Sequence, residues 1–388
     1  MSEAAPPLHG APLARRVLDH PPIDGARIKE RPGDFLVEEL PAAEPSGEGD
    51  HLWLRIVKEG VHHQELVRVL CGHFGVAPQA IGWAGMKDRH AVTSQTVSVH
   101  LPRRPEVRSI QDDRIQVLWA TWHGARLRRG DLSGNRFSVR VRGIEPFRAP
   151  AAWRAVRELE ARGVPNGFGP QRFGMHGNNH AMGALLLAGR ADDIARELAR
   201  TGEPYRDLRA VPEPTKELWV DAWQSAIFNR VLDARIAAGT YDRVLAGDIA
   251  CGADGAGFAV DAAAAEGPGA GSLAARAARL EVSATGPMPG TATPLADGAP
   301  GELERSAIEE FGGRALLEPM PRAWRRPPGD RRPLRIALRN PEMESGFDEH
   351  GPYVRVAFDL PAGAYATVVL REAFGDGLVD ASRDAARS

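Results

Sequence analysis

The chain has 388 residues, 43% hydrophobic and 26% charged, with 49 basic against 51 acidic residues and a net charge of −2. That length exceeds what one hydrophobic core usually supports, so two domains are expected. The near-neutral balance excludes a globally basic nucleic-acid binder, so any nucleic-acid face must be local.

Met1–Pro7 has neither a basic start nor an apolar core, so it does not read as a signal peptide. Residues 1–20 are expected to form a disordered leader, because the opening is dominated by Pro and Ala. No apolar run is long enough to cross a bilayer. Cys71 and Cys251 lie far apart in sequence, with no paired spacing that suggests a zinc site or a disulfide framework, which suits the reducing cytoplasm.

The first third reads as strands with one helix. Strands are expected at residues 34–39, 51–57, 96–101, 114–122 and 136–142, from alternating apolar positions. A helix is expected from Gln64 to Phe74, with Leu66, Val67, Leu70 and Phe74 on one stripe and Gly75 as its stop. The short links predict a mostly antiparallel sheet. The middle changes character, with helices expected at 151–161, 181–200 and 217–238, the last marked by Trp219, Trp223, Ile227 and Val231. Residues 246–301 are Ala/Gly-rich and are expected to be irregular and partly mobile. Strands at 333–338 and 353–358 and a helix at 365–372 close the chain. This order, β-rich ends around a helical centre, predicts an α+β fold in which one domain interrupts another. The expected division is 21–160 and 321–388 for the outer domain and 161–320 for the inserted one.

One polar run stands out, Gly85-Met86-Lys87-Asp88-Arg89-His90. It holds the carboxylate of Asp88 between two cations, and opposite charge keeps a carboxylate ionised. An ionised, positioned Asp serves as nucleophile, metal ligand or anchor for a cation. The plainer alternative is a turn Asp paired with Lys87 or Arg89. Four further segments have chemical content. Lys29…Asp34-Phe35-Leu36-Val37-Glu38-Glu39 reads otherwise as an edge strand with a core Phe. Leu132-Ser133-Gly134-Asn135-Arg136-Phe137 offers an amide to a base edge and a ring to a base face, or a plain hairpin. Phe168-Gly169-Pro170-Gln171-Arg172-Phe173-Gly174 reads best as a packing turn. Thr285-Gly286-Pro287-Met288 lacks the Lys of a nucleotide-binding loop.

Arginine is clustered twice. Arg126, Arg128, Arg129, Arg136, Arg140 and Arg142 form one run, and Arg322, Arg325, Arg326, Arg331, Arg332, Arg335 and Arg339 the other. Such runs fit either a phosphate-binding face or a solvated surface. His is dispersed, and no pair has zinc-protease spacing.

In this order the segments resemble the TruD family of tRNA pseudouridine synthases, from about Ile28 to about Glu372. The match is carried by Lys29…Asp34-Phe35…Glu38-Glu39, Gly85-Met86-Lys87-Asp88-Arg89…Thr93-Ser94-Gln95, Leu132–Phe137, Gly169–Gly174, Thr285-Gly286-Pro287 and Leu360-Pro361-Ala362-Gly363-Ala364-Tyr365-Ala366-Thr367. Gly167 stands where the family usually has an aromatic, and His63 replaces a common Thr before the first helix.

The resemblance implies a pseudouridine synthase fold, with a mixed, mostly antiparallel sheet and an inserted α/β domain. It implies isomerisation of a uridine in tRNA, chiefly at position 13, without cofactor or metal. Asp88 would be the nucleophile at ribose C1′ and Lys29 its cationic partner. Phe35, Asn135, Phe137 and Tyr365 would contact a flipped-out nucleotide, with stacking worth about 1–3 kcal/mol per base. Arg128, Arg129, Arg331 and Arg332 are candidates for phosphates of the tRNA partner. The implied protein is a cytoplasmic monomer with no membrane association. A non-catalytic RNA-binding or RNA-folding protein on the same fold is the alternative. A metal-dependent phosphoesterase would need further ligands clustered near Asp88.

Overall fold

A computed structural model describes residues 10–106, 109–313 and 327–384. The chain separates into two compact units. One, the sheet unit, comprises His20–Glu160, Leu338–Ala366 and Leu370–Ser388, and the other, the helical unit, comprises Met1–Asp19, Ala161–Ala337 and Thr367–Val369.

The sheet unit is built on an eight-stranded sheet. Its path runs Arg339–Asp348, Gly351–Leu360, Leu132–Val141, Phe35–Pro41, Val92–His100, His51–Glu59, Ile115–His123, with Ile81–Trp83 also paired to Val92–His100. Every pairing is antiparallel except that of Phe35–Pro41 with Val92–His100. The helix His63–Phe74 lays Leu66 and Leu70 on the sheet, where Leu52, Leu54, Ile56, Val97 and Val99 meet them in a fully buried cluster. His62 caps this helix, its Nδ1 accepting from the Gln64 N–H at 3.3 Å. His63 is buried instead, with its ring edge-on to Trp83 at 4.5 Å.

Residues directly opposite across a sheet share a face, as do residues two apart along a strand. The register therefore aligns Phe358, Phe137, Val37, Thr93 and Lys58 in one row, and Leu360, Asn135 and Glu39 in the next. The strand Phe35–Pro41 buries Phe35, Val37 and Glu39 and exposes Leu36 and Glu38. A charged residue thus occupies a core-facing position.

The helical unit packs Asn179–Leu187 and Gly298–Glu310 against the 25-residue helix Glu213–Ala237, and Ala191–Thr201 against Asn179–Leu187. Trp219, Trp223, Ile227 and Val231 are buried along it, as the periodicity predicts. The single helix expected over 181–200 is two helices. Gly189 takes a φ of +70°, a left-handed conformation open to glycine, and ends the first. Residues 246–301, expected to be irregular, supply three strands of a four-stranded antiparallel sheet in the order Gly257–Ala259, Ile249–Gly252, Val282–Met288, Asp330–Pro333. Val282–Met288 consists largely of small residues and is buried almost throughout, so it has no alternation to read. A Cβ at Gly286 would stand 3.0 Å from the Phe228 ring, which explains a glycine where strand meets helix.

At Gly167 a Cβ would already lie 3.3 Å from Leu232, so Leu232 fills the space an aromatic would need. The leader from Gly10 on is irregular but seated: Ala14 and Leu18 are buried, and Arg15 Nε binds Asp233 at 2.8 Å. The remainder of the expected leader, residues 1–9, lies outside the described residues. Among the described residues no helix is long and apolar enough to cross a membrane.

Candidate active site

Asp88 sits in an irregular turn between the strands Ile81–Trp83 and Val92–His100. Four contacts fix that turn. The Ala84 carbonyl accepts from the Gly130 N–H at 2.9 Å, tying the turn to the basic loop that contains Arg128 and Arg129. Lys87 turns inward and binds Glu39 Oε2 at 2.6 Å, with both side chains buried, at 5% and 2% exposure. Asp88 Oδ2 accepts from Lys29 Nζ, and Asp88 Oδ1 accepts from the His90 N–H at 3.0 Å. Of the two cations adjacent in sequence, Lys87 belongs to Glu39 and Arg89 is exposed. The partner of Asp88 is Lys29, 59 residues upstream.

Lys29 is held from behind. Arg27–Ile28 pairs in parallel with Val379–Asp380, and Arg27 exchanges backbone hydrogen bonds with Arg142. Lys29 itself has a φ of +56°, a strained conformation for a side-chain-bearing residue and one that concentrates at functional sites. Its side chain is 2% exposed, and the ammonium lies 4.6 Å from the centre of the Phe35 ring and 3.8 Å from Asp380 Oδ2. Asp88 keeps 33% exposure, so the pair has a buried cationic end and an accessible anionic end. Burial pushes the Asp88 carboxyl upward, but the Lys29 charge, its hydrogen bond and the His90 N–H outweigh it. The net effect lowers Asp88 below the usual carboxylate range, so it is ionised at neutral pH.

The floor beside this pair is aromatic. Phe35 meets Phe137 edge-on at 6.2 Å, and Phe137 packs on Phe358 at 5.9 Å. Asn135 is half-buried, and among the described residues its Oδ1 has no hydrogen-bond partner. Leu360, opposite Asn135 in register, leads through the turn Leu360–Gly363 to Tyr365, the half-buried residue that precedes the helix Ala366–Phe374. Asp34 anchors the start of the Phe35 strand through a buried two-pronged bond from Arg142 at 2.7–2.9 Å.

The structure thus places Lys29, Phe35, Asp88, Asn135, Phe137 and Tyr365 in one unit. It separates the arginines by environment. Arg128 and Arg129 are exposed, and among the described residues neither makes an ion pair. Arg136 and Arg142 are tied to Asp359, Glu342, Asp34 and Asp348. In the helical unit, Arg331 is bound to Glu304 and to Thr285 Oγ1 at 2.7 Å. There Arg332 holds the Asn166 carbonyl at 3.0 Å and stacks 4.5 Å above Phe168. Arg322, Arg325 and Arg326 lie outside the described residues.

Sequence reasoning missed Glu39, Lys58 and Asp380. Lys58 is fully buried with its ammonium on the Val61 carbonyl at 2.8 Å, and burial pushes it down to about 8 against the pull of Asp88. Glu39 was accessible to reasoning, because strand alternation puts it on the face of Phe35 and Val37. Asp380 left no signal, since only the fold brings it to Lys29. The one group of metal-capable side chains among the described residues, Asp50, His51 and His100, lies at the far end of the strand from the Asp88 turn. Eight residues of strand separate Val92 from His100, about 27 Å.

Comparison with known proteins gives the same family as the motifs. The family model described as tRNA pseudouridine synthase D (TruD) matches residues 14–206 and 192–373. Proteins named tRNA pseudouridine synthase D are similar over nearly the whole chain. The one from Geobacter metallireducens is 35% identical, covering 92% of this chain and 97% of its own length. The one from Xanthomonas axonopodis pv. citri is 38% identical, at 92% and 93% coverage. The one from Anaeromyxobacter dehalogenans is 39% identical, at 90% and 93%. A crystal structure of a Methanosarcina mazei protein assigned to the same group shares the fold, with a TM-score of 0.70 and 24% identity over 93% of this chain and 96% of that one. The chain therefore belongs to the tRNA pseudouridine synthase D (TruD) family.

Proposed function

We propose that this enzyme converts uridine to pseudouridine at position 13 of tRNA, with Asp88 as the nucleophile. Family membership supports the reaction class and the tRNA substrate. The observation that carries the assignment of Asp88 is its accessible carboxylate, held ionised by a buried Lys29 beside an aromatic floor.

In this reading the target uridine leaves its stack and enters above Phe35 and Phe137, because its glycosidic bond is out of reach inside folded RNA. The Asp88 carboxylate attacks ribose C1′, and the N1–C1′ bond breaks with its electron pair leaving on uracil. The ring turns, C5 bonds to C1′, and Asp88 departs as carboxylate. The proton on C5 is lost and N1 gains one, so the conversion is a redox-neutral isomerisation that requires no co-substrate. Aromatic rings suit the rotating base, since a π-face holds it without fixing a hydrogen-bond pattern. The Asn135 Oδ1 is buried and, among the described residues, unpartnered, and a turn of that amide toward the entering base gives a base N–H its acceptor. Lys29 keeps the nucleophile anionic on both arrival and departure.

Phosphate contacts fall to Arg128 and Arg129 ahead of Arg331 and Arg332, whose guanidinium groups are engaged by Glu304 and Asn166. The protein is read as a cytoplasmic monomer acting where tRNA is found. In the test, purified protein and its Asp88→Asn variant are incubated with tRNA tritiated at uridine C5, and release of tritium is followed alongside tRNA affinity. Release by the native protein and none by Asp88→Asn, with affinity largely retained, is the expected result. Normal release by the variant would remove Asp88 from the chemistry. Tight binding without release by either protein would favour a non-catalytic RNA-binding role.

A further inference from the structure

We propose that Met86 is the wedge that enters the RNA stack and fills the space left when the target uridine is extruded. The inference rests on the pseudouridine synthase reading of the same turn. Met86 lies two residues before Asp88 and is 63% exposed, although it is a large apolar side chain. Isolated exposed apolar residues are ordinary on protein surfaces. Met86 differs in how its backbone is held. Immediately before it, Gly85 follows Ala84, whose carbonyl is bound by Gly130. Immediately after it, Lys87 is drawn into the buried pair with Glu39, and Asp88 is drawn to Lys29. The turn is therefore anchored on both sides, and a thioether projecting from it cannot retreat with the backbone.

Gly85 completes the arrangement. A Cβ there would come within 3.3 Å of Lys87 Nζ, so a side chain at 85 would press on the pair that fixes the turn. Arg89 follows in the same turn and is exposed, and the loop that contains the exposed Arg128 and Arg129 is bonded to that turn through the Gly130 N–H and the Ala84 carbonyl. An exposed apolar side chain in a turn that adjoins the arginines proposed for phosphate contact fits one ligand chemistry, the step between two stacked bases. Proteins that unstack nucleic acid commonly insert such wedges, methionine among them. Methionine is flexible and polarizable, so it packs on any base without reading its edge. This places Met86 in the extrusion step, apart from the bond changes at C1′.

The test separates extrusion from binding and chemistry. A tRNA with 2-aminopurine next to the target uridine brightens when that uridine leaves the stack. Its fluorescence and affinity are measured with Asp88→Asn, Asp88→Asn/Met86→Ala and Asp88→Asn/Met86→Leu. Single-turnover conversion of unlabelled tRNA is measured with Met86→Ala and Met86→Leu at saturating enzyme. The expected result is loss of most of the brightening with Ala and its retention with Leu. The single-turnover rate should fall at least about tenfold for Met86→Ala and stay within about threefold for Met86→Leu. Native brightening and a native rate for Met86→Ala would overturn the proposal. If the unmodified protein converts no uridine, the functional reading itself fails. If it converts uridine and Met86→Ala matches it, only the wedge fails.

Discussion

Asp88 and Lys29 divide one ion pair into two tasks. In the proposed mechanism the buried ammonium sets the charge state, and the accessible carboxylate meets the substrate. A carboxyl lowered in the folded state stabilises the fold above its ordinary range and loses that contribution as pH falls through the lowered value. With Lys29 present, protonation of Asp88 therefore cannot limit activity near neutral pH. Lys29→Met leaves the burial that pushes Asp88 upward and removes the charge and hydrogen bond that oppose it. The acid limb of kcat/KM should then move to higher pH, toward the neutral range, whereas Lys29→Arg should move it less. A pH–rate profile with an unmoved limb in Lys29→Met would contradict the role given to Lys29.

The Glu39–Lys87 pair is the second charge pair of the turn, and it is sealed. Removing one partner of a buried pair leaves the other uncompensated, at a cost of about 3–5 kcal/mol. Glu39→Gln should therefore be much less stable in urea than the native protein. Glu39→Gln/Lys87→Met should recover part of the loss, and additive losses would show the pair to be uncoupled.

At the scale of elements, the site depends on close approach between the strand Leu132–Val141 and the end of the strand Gly351–Leu360. A Cβ at Gly134 would lie 2.4 Å from the Leu360 carbonyl oxygen, a backbone atom that cannot turn aside. Gly134→Ala should cost about 1–3 kcal/mol through overpacking. It should also reduce kcat, because Asn135 and the turn to Tyr365 share that contact. Circular dichroism in urea and single-turnover rates check the two effects. Elements with a strong period were legible in the sequence. The strand at His51, the helix ending at Phe74 and the Trp219–Val231 stripe all stand where the pattern put them, within a few residues. Val282–Met288 was not legible because it consists largely of small residues and is buried almost throughout. Arg339–Asp348 was not legible because it is an exposed outer strand with several charged residues. At the site, motif order pointed to Asp88 and Lys29. The local pattern misled toward Lys87, because sequence adjacency does not say that a lysine turns inward to a glutamate 48 residues away.

At the scale of the whole molecule, a net charge of −2 leaves tRNA binding to local cations. Affinity for tRNA should fall steeply with salt, because each neutralised phosphate releases counterions. Arg128→Ala or Arg129→Ala should weaken binding and reduce the slope of log affinity against log salt by about one. Replacement of Arg331 should instead act through stability, since its guanidinium is bound to Glu304 and Thr285. The central claim, an Asp88-dependent pseudouridine synthase acting on tRNA, is tested most directly by mapping pseudouridine in total tRNA. Three strains are compared: one lacking this protein, one restored with the native chain, and one restored with Asp88→Asn. The expected map loses pseudouridine at position 13 in the deletion, regains it with the native chain, and fails to regain it with Asp88→Asn. A map unchanged by deletion, or restored by Asp88→Asn, would contradict that claim.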